Sequence, residues 1–223
     1  MSPLKITFRF ASPVVVDSEY PINLDALLAW SRVREAEEAK DTLPWLLQDD
    51  LPLDKAGAGD DWVWKASQLL FSAAAPRQLV NQQRKCDPDR FYRDFQNKHW
   101  KAMRGDNAPT INPLSGQFRA YQFYVSTQWM ARAEAWCIGN IDRVKALISR
   151  IDHVGKMGRN GFGLIKSIDV EIDPAASEQW KLRALPADVA GAPGMQYFDS
   201  LSPPRAPYWE EQRRVRMREP VIL

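Results

Sequence analysis

The residues best suited to chemistry lie in Gly155-Lys156-Met157-Gly158-Arg159-Asn160-Gly161-Phe162-Gly163, where four glycines surround two cations. Glycine has no Cβ, so such a backbone turns through positive φ and approaches a ligand closely, while Lys156 and Arg159 add charge beside exposed N–H groups. That combination suits a polyanion. A triphosphate cradle follows a strand, opens a helix and places Lys before Ser or Thr. Here a helical pattern precedes the loop, a strand pattern follows it, and Met157 follows the lysine, which argues against that class. The alternative is a turn that merely joins two elements.

A second set of candidates is spread over residues 77–104. Arg77, Arg84, Lys85, Arg90, Arg93, Lys98, Lys101 and Arg104 are interleaved with Phe91, Tyr92, Phe95, His99 and Trp100. Cations neutralise phosphates and release counterions, and flat rings stack on unpaired bases, so the mixture suits single-stranded nucleic acid. An amphipathic helix with solvated charges would have the same composition. Metal-free RNA cleavage would need a base for the 2′-hydroxyl and a cation at the phosphate. His153 with Lys156, and His99, are the residues available for that role.

The distribution of charge agrees with this placement. Net charge is +2 over 223 residues, but residues 76–119 hold 9 Lys/Arg against 4 Asp/Glu, whereas residues 1–75 hold 7 against 12. With 45% hydrophobic residues the chain can bury a substantial core. No apolar run approaches the roughly 20 residues that span a bilayer, and no signal-peptide core is evident, so a soluble, cytoplasmic protein without a membrane partner is expected. Cys86 and Cys137 lie far apart, without cysteine or histidine at ligand spacing, so neither a disulfide framework nor a metal site is expected. No hydrolase or metalloprotease motif is present, and no cofactor is expected.

The elements that must position these residues follow from periodicity. Lys5–Phe10 alternates, with Ile6, Phe8 and Phe10 inward, as a half-buried strand does. A helix is expected over about 23–39, with Asn23 as cap and Asp25 in the positive first turn. Residues 62–71 read as a strand or hairpin arm, and 117–127 and 132–139 as two strands joined by a turn. Asn140 caps a helix with Val144, Leu147, Ile148 and Ile151 on one face. The glycine loop and a strand over 164–172 complete the unit, and Arg213–Arg218 reads as an edge strand with solvated arginines. The order is that of a ferredoxin-like (RRM-like) βαββαβ unit of α+β class, with a basic thumb insertion after the first helix and a short C-terminal extension. The expected division is 1–173, with the thumb at about 76–116, and an extension at 174–223 packed on the same domain.

A glycine-rich loop between the last helix and last strand of such a unit resembles the RAMP superfamily of CRISPR proteins, on Gly155, Lys156, Gly158, Arg159, Gly161, Phe162 and Gly163. The openings Ile6–Val15 and Ile22–Trp30 resemble the Cas-five-like subunit of type IV CRISPR effector complexes. The resemblance implies a non-catalytic subunit that holds the repeat-derived 5′ end of a guide RNA and caps a filament of backbone subunits. It also implies a place near the target DNA flank where the protospacer-adjacent motif is read. Implied partners are guide RNA, target DNA, the backbone subunits, the large subunit and a DinG-type helicase. The implied RNA contacts are Lys156, Arg159, Asn160, Gly161, Phe162 and Gly163, with Arg84, Lys85, Arg90, Arg93, Lys98, His99, Lys101 and Arg104 from the thumb. Because some relatives cut repeat RNA, a metal-independent endoribonuclease is the alternative.

Overall fold

A computed structural model describes residues 1–15, 21–99, 101 and 111–222. In chain order the elements are β1 (Ser2–Phe10), α1 (Leu24–Glu38), β2 (Lys55–Ala56), β3 (Val63–Trp64), β4 (Leu70–Ala73), β5 (Gln78–Arg84) and α2 (Pro88–Gln96). They continue with β6 (Tyr121–Thr127), β7 (Met130–Gly139), α3 (Ile141–Ile148), β8 (Ile165–Ile172), α4 (Ala176–Gln179), β9 (Tyr197–Ser202) and β10 (Val215–Pro220). The antiparallel sheets and few helices make an α+β fold. Among the described residues no helix is long and apolar enough to cross a membrane.

The central sheet has the strand order β4-β7-β1-β8, antiparallel at every step. Alternation in β1 puts Leu4, Ile6 and Phe8 opposite Cys137, Ala135 and Ala133 of β7, and all six are fully buried. The apolar faces of α1 (Leu24, Leu28) and α3 (Val144, Leu147, Ile148) belong to the same core. The small Ala133 and Ala135 leave room for those larger side chains. Ser31 on α1 donates its hydroxyl to the Leu147 carbonyl at 2.6 Å, fastening the two helices together. Burial pushes the Cys137 thiol up to about 12, so it stays protonated and inert. We expect a thiol reagent to modify native protein rapidly at one site, the half-buried Cys86. Cys86→Ser should then abolish the fast phase, as absorbance of the released thiolate would record.

The strand expected over 117–127 forms at Tyr121–Thr127, but it does not join the central sheet. It pairs with β5 over the full length Gln78↔Thr127 to Arg84↔Tyr121, and the edge position beside β7 is taken by the four residues of β4. Residues Arg77–Thr127 accordingly form one compact unit, and Met1–Pro76 with Gln128–Leu223 form the other. The smaller unit holds the β5–β6 ribbon and α2, which starts where the Asp87 carboxylate accepts the Arg90 N–H at 3.1 Å. In the larger unit the expected Asn23 cap makes no side-chain bond to α1; Asn23 is buried and bridges to Gln68. Asn140 does cap α3, accepting from the Arg143 N–H at 3.0 Å.

Asp25 is not the solvated first-turn carboxylate that its position suggests. It is fully buried at 3.3 Å from the guanidinium of Arg183, which is itself 1% exposed. Arg183 also donates to the carbonyls of Trp64, Ala66, Ala184 and Pro204 and to the Tyr208 hydroxyl, which donates in turn to Asp25 at 2.8 Å. Beside this network Val63, Trp180, Leu185 and Met217 form a second small core, on which Tyr197 and Val215 of the β9–β10 ribbon pack. The expected strand at the C-terminus is β10, with Arg216 exposed and paired to Asp199 of β9.

Candidate nucleic-acid interface

The glycine loop is held against the segment that follows β1. Lys156 N–H donates to the Val15 carbonyl and Gly163 N–H to the Pro13 carbonyl, both at 2.8 Å, and Leu164 N–H donates to the Ser12 hydroxyl at 2.9 Å. Two glycines make that approach possible. A Cβ on Gly163, which has φ +66°, would lie 1.9 Å from the Val154 carbonyl oxygen, and one on Gly155, with φ +91°, 2.6 Å from that of Val15. For Gly163→Ala the left-handed backbone costs about 1–2 kcal/mol and the overlap about 1–3 kcal/mol more. We therefore expect a clear fall in thermal unfolding temperature for this variant. For Gly161→Ala, where a Cβ would meet nothing within 4 Å, only the first cost applies.

Between those two anchors the loop points outward. Met157 lies in the left-handed region at φ 62°, and Gly158–Asn160 form one tight helical turn closed by Gly161 at φ 85°. Lys156, Arg159, Asn160 and Gly161 are exposed. Phe162 and Gly163, expected among the contacts, are buried. Phe162 packs inward because the anchoring bonds on either side turn the chain back into the fold, so these two residues support the loop and the other four form its surface. His153 is half-buried and its side chain lies against Gly158, with Cβ 3.1 Å and the ring Cγ 3.3 Å from where a Cβ on that glycine would sit. It also pairs through its backbone with Leu164.

Within the smaller unit, Arg84 and Lys85 are exposed at the end of β5, and Arg90 and Arg93 are exposed on α2. Lys98, His99 and Lys101 follow, also exposed, with His99 3.6 Å from the Asp94 carboxylate. Arg104 lies outside the described residues. The sequence reading missed three aromatics beside these cations: Tyr121, Phe123 and Tyr124 of β6 are all exposed. Tyr121 is directly across from Arg84, and its ring centroid is 5.5 Å from that of Phe123. A two-stranded ribbon with exposed rings and a neighbouring guanidinium is a surface on which bases can stack. The signal was present in Tyr121-Gln122-Phe123-Tyr124, where aromatics fall on both faces of one strand.

The face of the central sheet opposite the helices is a poorer candidate. Lys5 pairs with Glu134 at 2.8 Å and Arg9 with Asp169. The Lys5 hydrogen bond holds Glu134 below the usual carboxylate range, so it stays ionised between Lys5 and Arg132, and Glu171 across from Lys5 balances the second cation. Phosphates would find no excess of positive charge there.

The family model described as CRISPR type IV associated protein Csf3 matches residues 2–220. No curated protein matches the chain significantly.

Proposed function

The chain belongs to the Csf3 family of type IV CRISPR-associated proteins, and on that premise we propose that it is the subunit of the complex that holds the guide RNA. Membership makes other CRISPR-associated subunits its partners. The observation that carries the reading is the loop: Lys156, Arg159, Asn160 and Gly161 are presented together on a backbone anchored at both ends. The cations and exposed rings of the β5–β6 ribbon support the role of residues 77–127 as an RNA-gripping thumb.

The sheet order β4-β7-β1-β8 is compatible with a ferredoxin-like unit and in that way supports a place in the RAMP superfamily. On this reading the subunit binds the repeat-derived 5′ end of the guide, caps the backbone filament and lies near the target DNA flank. Sequence specificity comes chiefly from guide pairing, and the protein reads backbone and shape. The part played by the chain is structural and not catalytic.

Incubation with labelled single-stranded repeat RNA in a chelator, followed on native and denaturing gels, tests the proposal. A shifted band with intact RNA is the expected result. Discrete shortening that disappears in His153→Ala would replace it with the endoribonuclease reading. No shift for either the isolated chain or the reconstituted complex would sink it.

A further inference from the structure

β8 is at one edge of the central sheet, and its outer side has no strand partner beyond Leu164 and Ile165 among the described residues. At that end the edge is already in use: Ile165 N–H donates to the Asp152 carbonyl at 2.8 Å, and His153 pairs with Leu164. Past it the direction of each backbone group follows from a single bond. Asp173 N–H donates to the Pro3 carbonyl on β1, and groups on a strand alternate sides with period two. Asp173, Glu171, Asp169 and Ser167 therefore face β1. Ile172, Val170 and Ile168 turn their N–H and C=O groups away from the sheet.

Natural edges are blunted by proline, bulges or inward-pointing charges. The stretch Ser167–Ile172 has none of these. Its register with β1 is regular, the shift lying before it at Arg9/Phe10. Its helix-side residues Ile168, Val170 and Ile172 are all apolar, with Ile172 63% exposed. A groove of about 520 Å³ runs from Asp152 and His153 to Ile168. A second, of about 190 Å³, continues it between Ile168, Val170, the α3 residues Lys145 and Ile148, and Ser149 just beyond that helix.

We propose that this edge receives an extended segment of another protein subunit of the type IV complex, added as a fifth strand in line with Asp152–His153. Alternating donors and acceptors repeated about every 7 Å are complemented by a polypeptide strand. Alternate side chains of the incoming strand lie over the groove beside α3, and these are apolar. A nucleic acid is the poorer match, because each outward N–H is accompanied by a carbonyl and the nearby charges are mixed: Asp152, Asp169 and Glu171 with Lys145 and Lys166. The inference rests on family membership and not on the guide-RNA reading.

Amide-resolved hydrogen exchange on the isolated chain and on the reconstituted complex is the test. Ile168, Val170 and Ile172 should exchange at least about tenfold more slowly in the complex, while Ser167, Asp169 and Glu171 are slow in both. Unchanged exchange at the three outward amides would overturn the proposal. So would protection that ribonuclease removes, which identifies RNA as the cover, or protection that rises with the concentration of the isolated chain, which identifies a second copy. Ile172→Pro removes only an outward N–H, as edge prolines can. It should weaken assembly about tenfold or more while the isolated chain still unfolds cooperatively; normal assembly of this variant would also overturn the proposal.

Discussion

Asp25→Ala is expected to cost about 3–5 kcal/mol, the usual consequence of removing one partner of a buried ion pair. The guanidinium of Arg183 would remain where water cannot reach it, its charge uncompensated. Against the roughly 5–15 kcal/mol that holds a typical domain together, that loss is a large share of the whole, and circular dichroism during thermal unfolding would register it as a lowered unfolding temperature. Arg183 also cannot be exchanged for an apolar residue of similar volume at little cost, because it satisfies the carbonyls of Trp64, Ala66, Ala184 and Pro204. Tyr208→Phe should cost less, about 1.5–3 kcal/mol for a hydrogen bond to charged groups. It also carries a pH signature. Burial pushes the Tyr208 hydroxyl well above its ordinary value of 10.0. The folded state thus holds this proton more tightly than the unfolded chain does. The associated stabilisation is complete below about pH 10 and is lost as pH rises through the folded value. Tyr208→Phe should flatten the alkaline fall in stability. An unchanged slope would show that Tyr208 does not titrate with unfolding.

Why this network was invisible in the sequence is a matter of scale. Asp25 in the first turn of a helix and Arg183 in Lys181-Leu182-Arg183-Ala184-Leu185 each look like ordinary solvated charges, and only a tertiary contact across 158 residues buries both. β1 and α3 were legible because each repeats its apolar residues with the period of its own backbone, and α1 was legible from Leu24, Leu27 and Leu28 near its start. β4 was not separable from its surroundings, since four residues carry too little periodicity and its place beside β7 is fixed by pairing. The β6 strand was recognisable, but its partner was not. Alternation identifies a strand, whereas the choice between β5 and β7 depends on which hydrogen bonds are closed in three dimensions. For the glycine loop the exposed cations could be read directly. The inward turn of Phe162 could not, because it depends on bonds to Ser12, Pro13 and Val15 from the other end of the chain.

Replacing Lys156 and Arg159 together with alanine should separate the anchored part of the loop from its charged part. Neither side chain is buried, and the anchoring bonds of the loop use the backbone of Lys156 and Gly163 together with Ser12. The unfolding temperature should therefore stay close to that of the unaltered chain, unlike that of Gly163→Ala. RNA binding should not. Each charge-assisted contact to a phosphate contributes on the order of 1.5–3 kcal/mol, so losing two should weaken binding of repeat RNA by at least about 100-fold at low salt. The salt dependence provides an independent reading. Each phosphate contact to a single strand contributes about 0.7 to the slope of log affinity against log salt, and the double variant should lower that slope by about 1.4. A fall in affinity with an unchanged slope would mean that the cations act by shaping the loop and not by meeting phosphate. Unaltered affinity would move the interface to the β5–β6 ribbon, where Arg84→Ala and Tyr121→Ala would become the decisive pair.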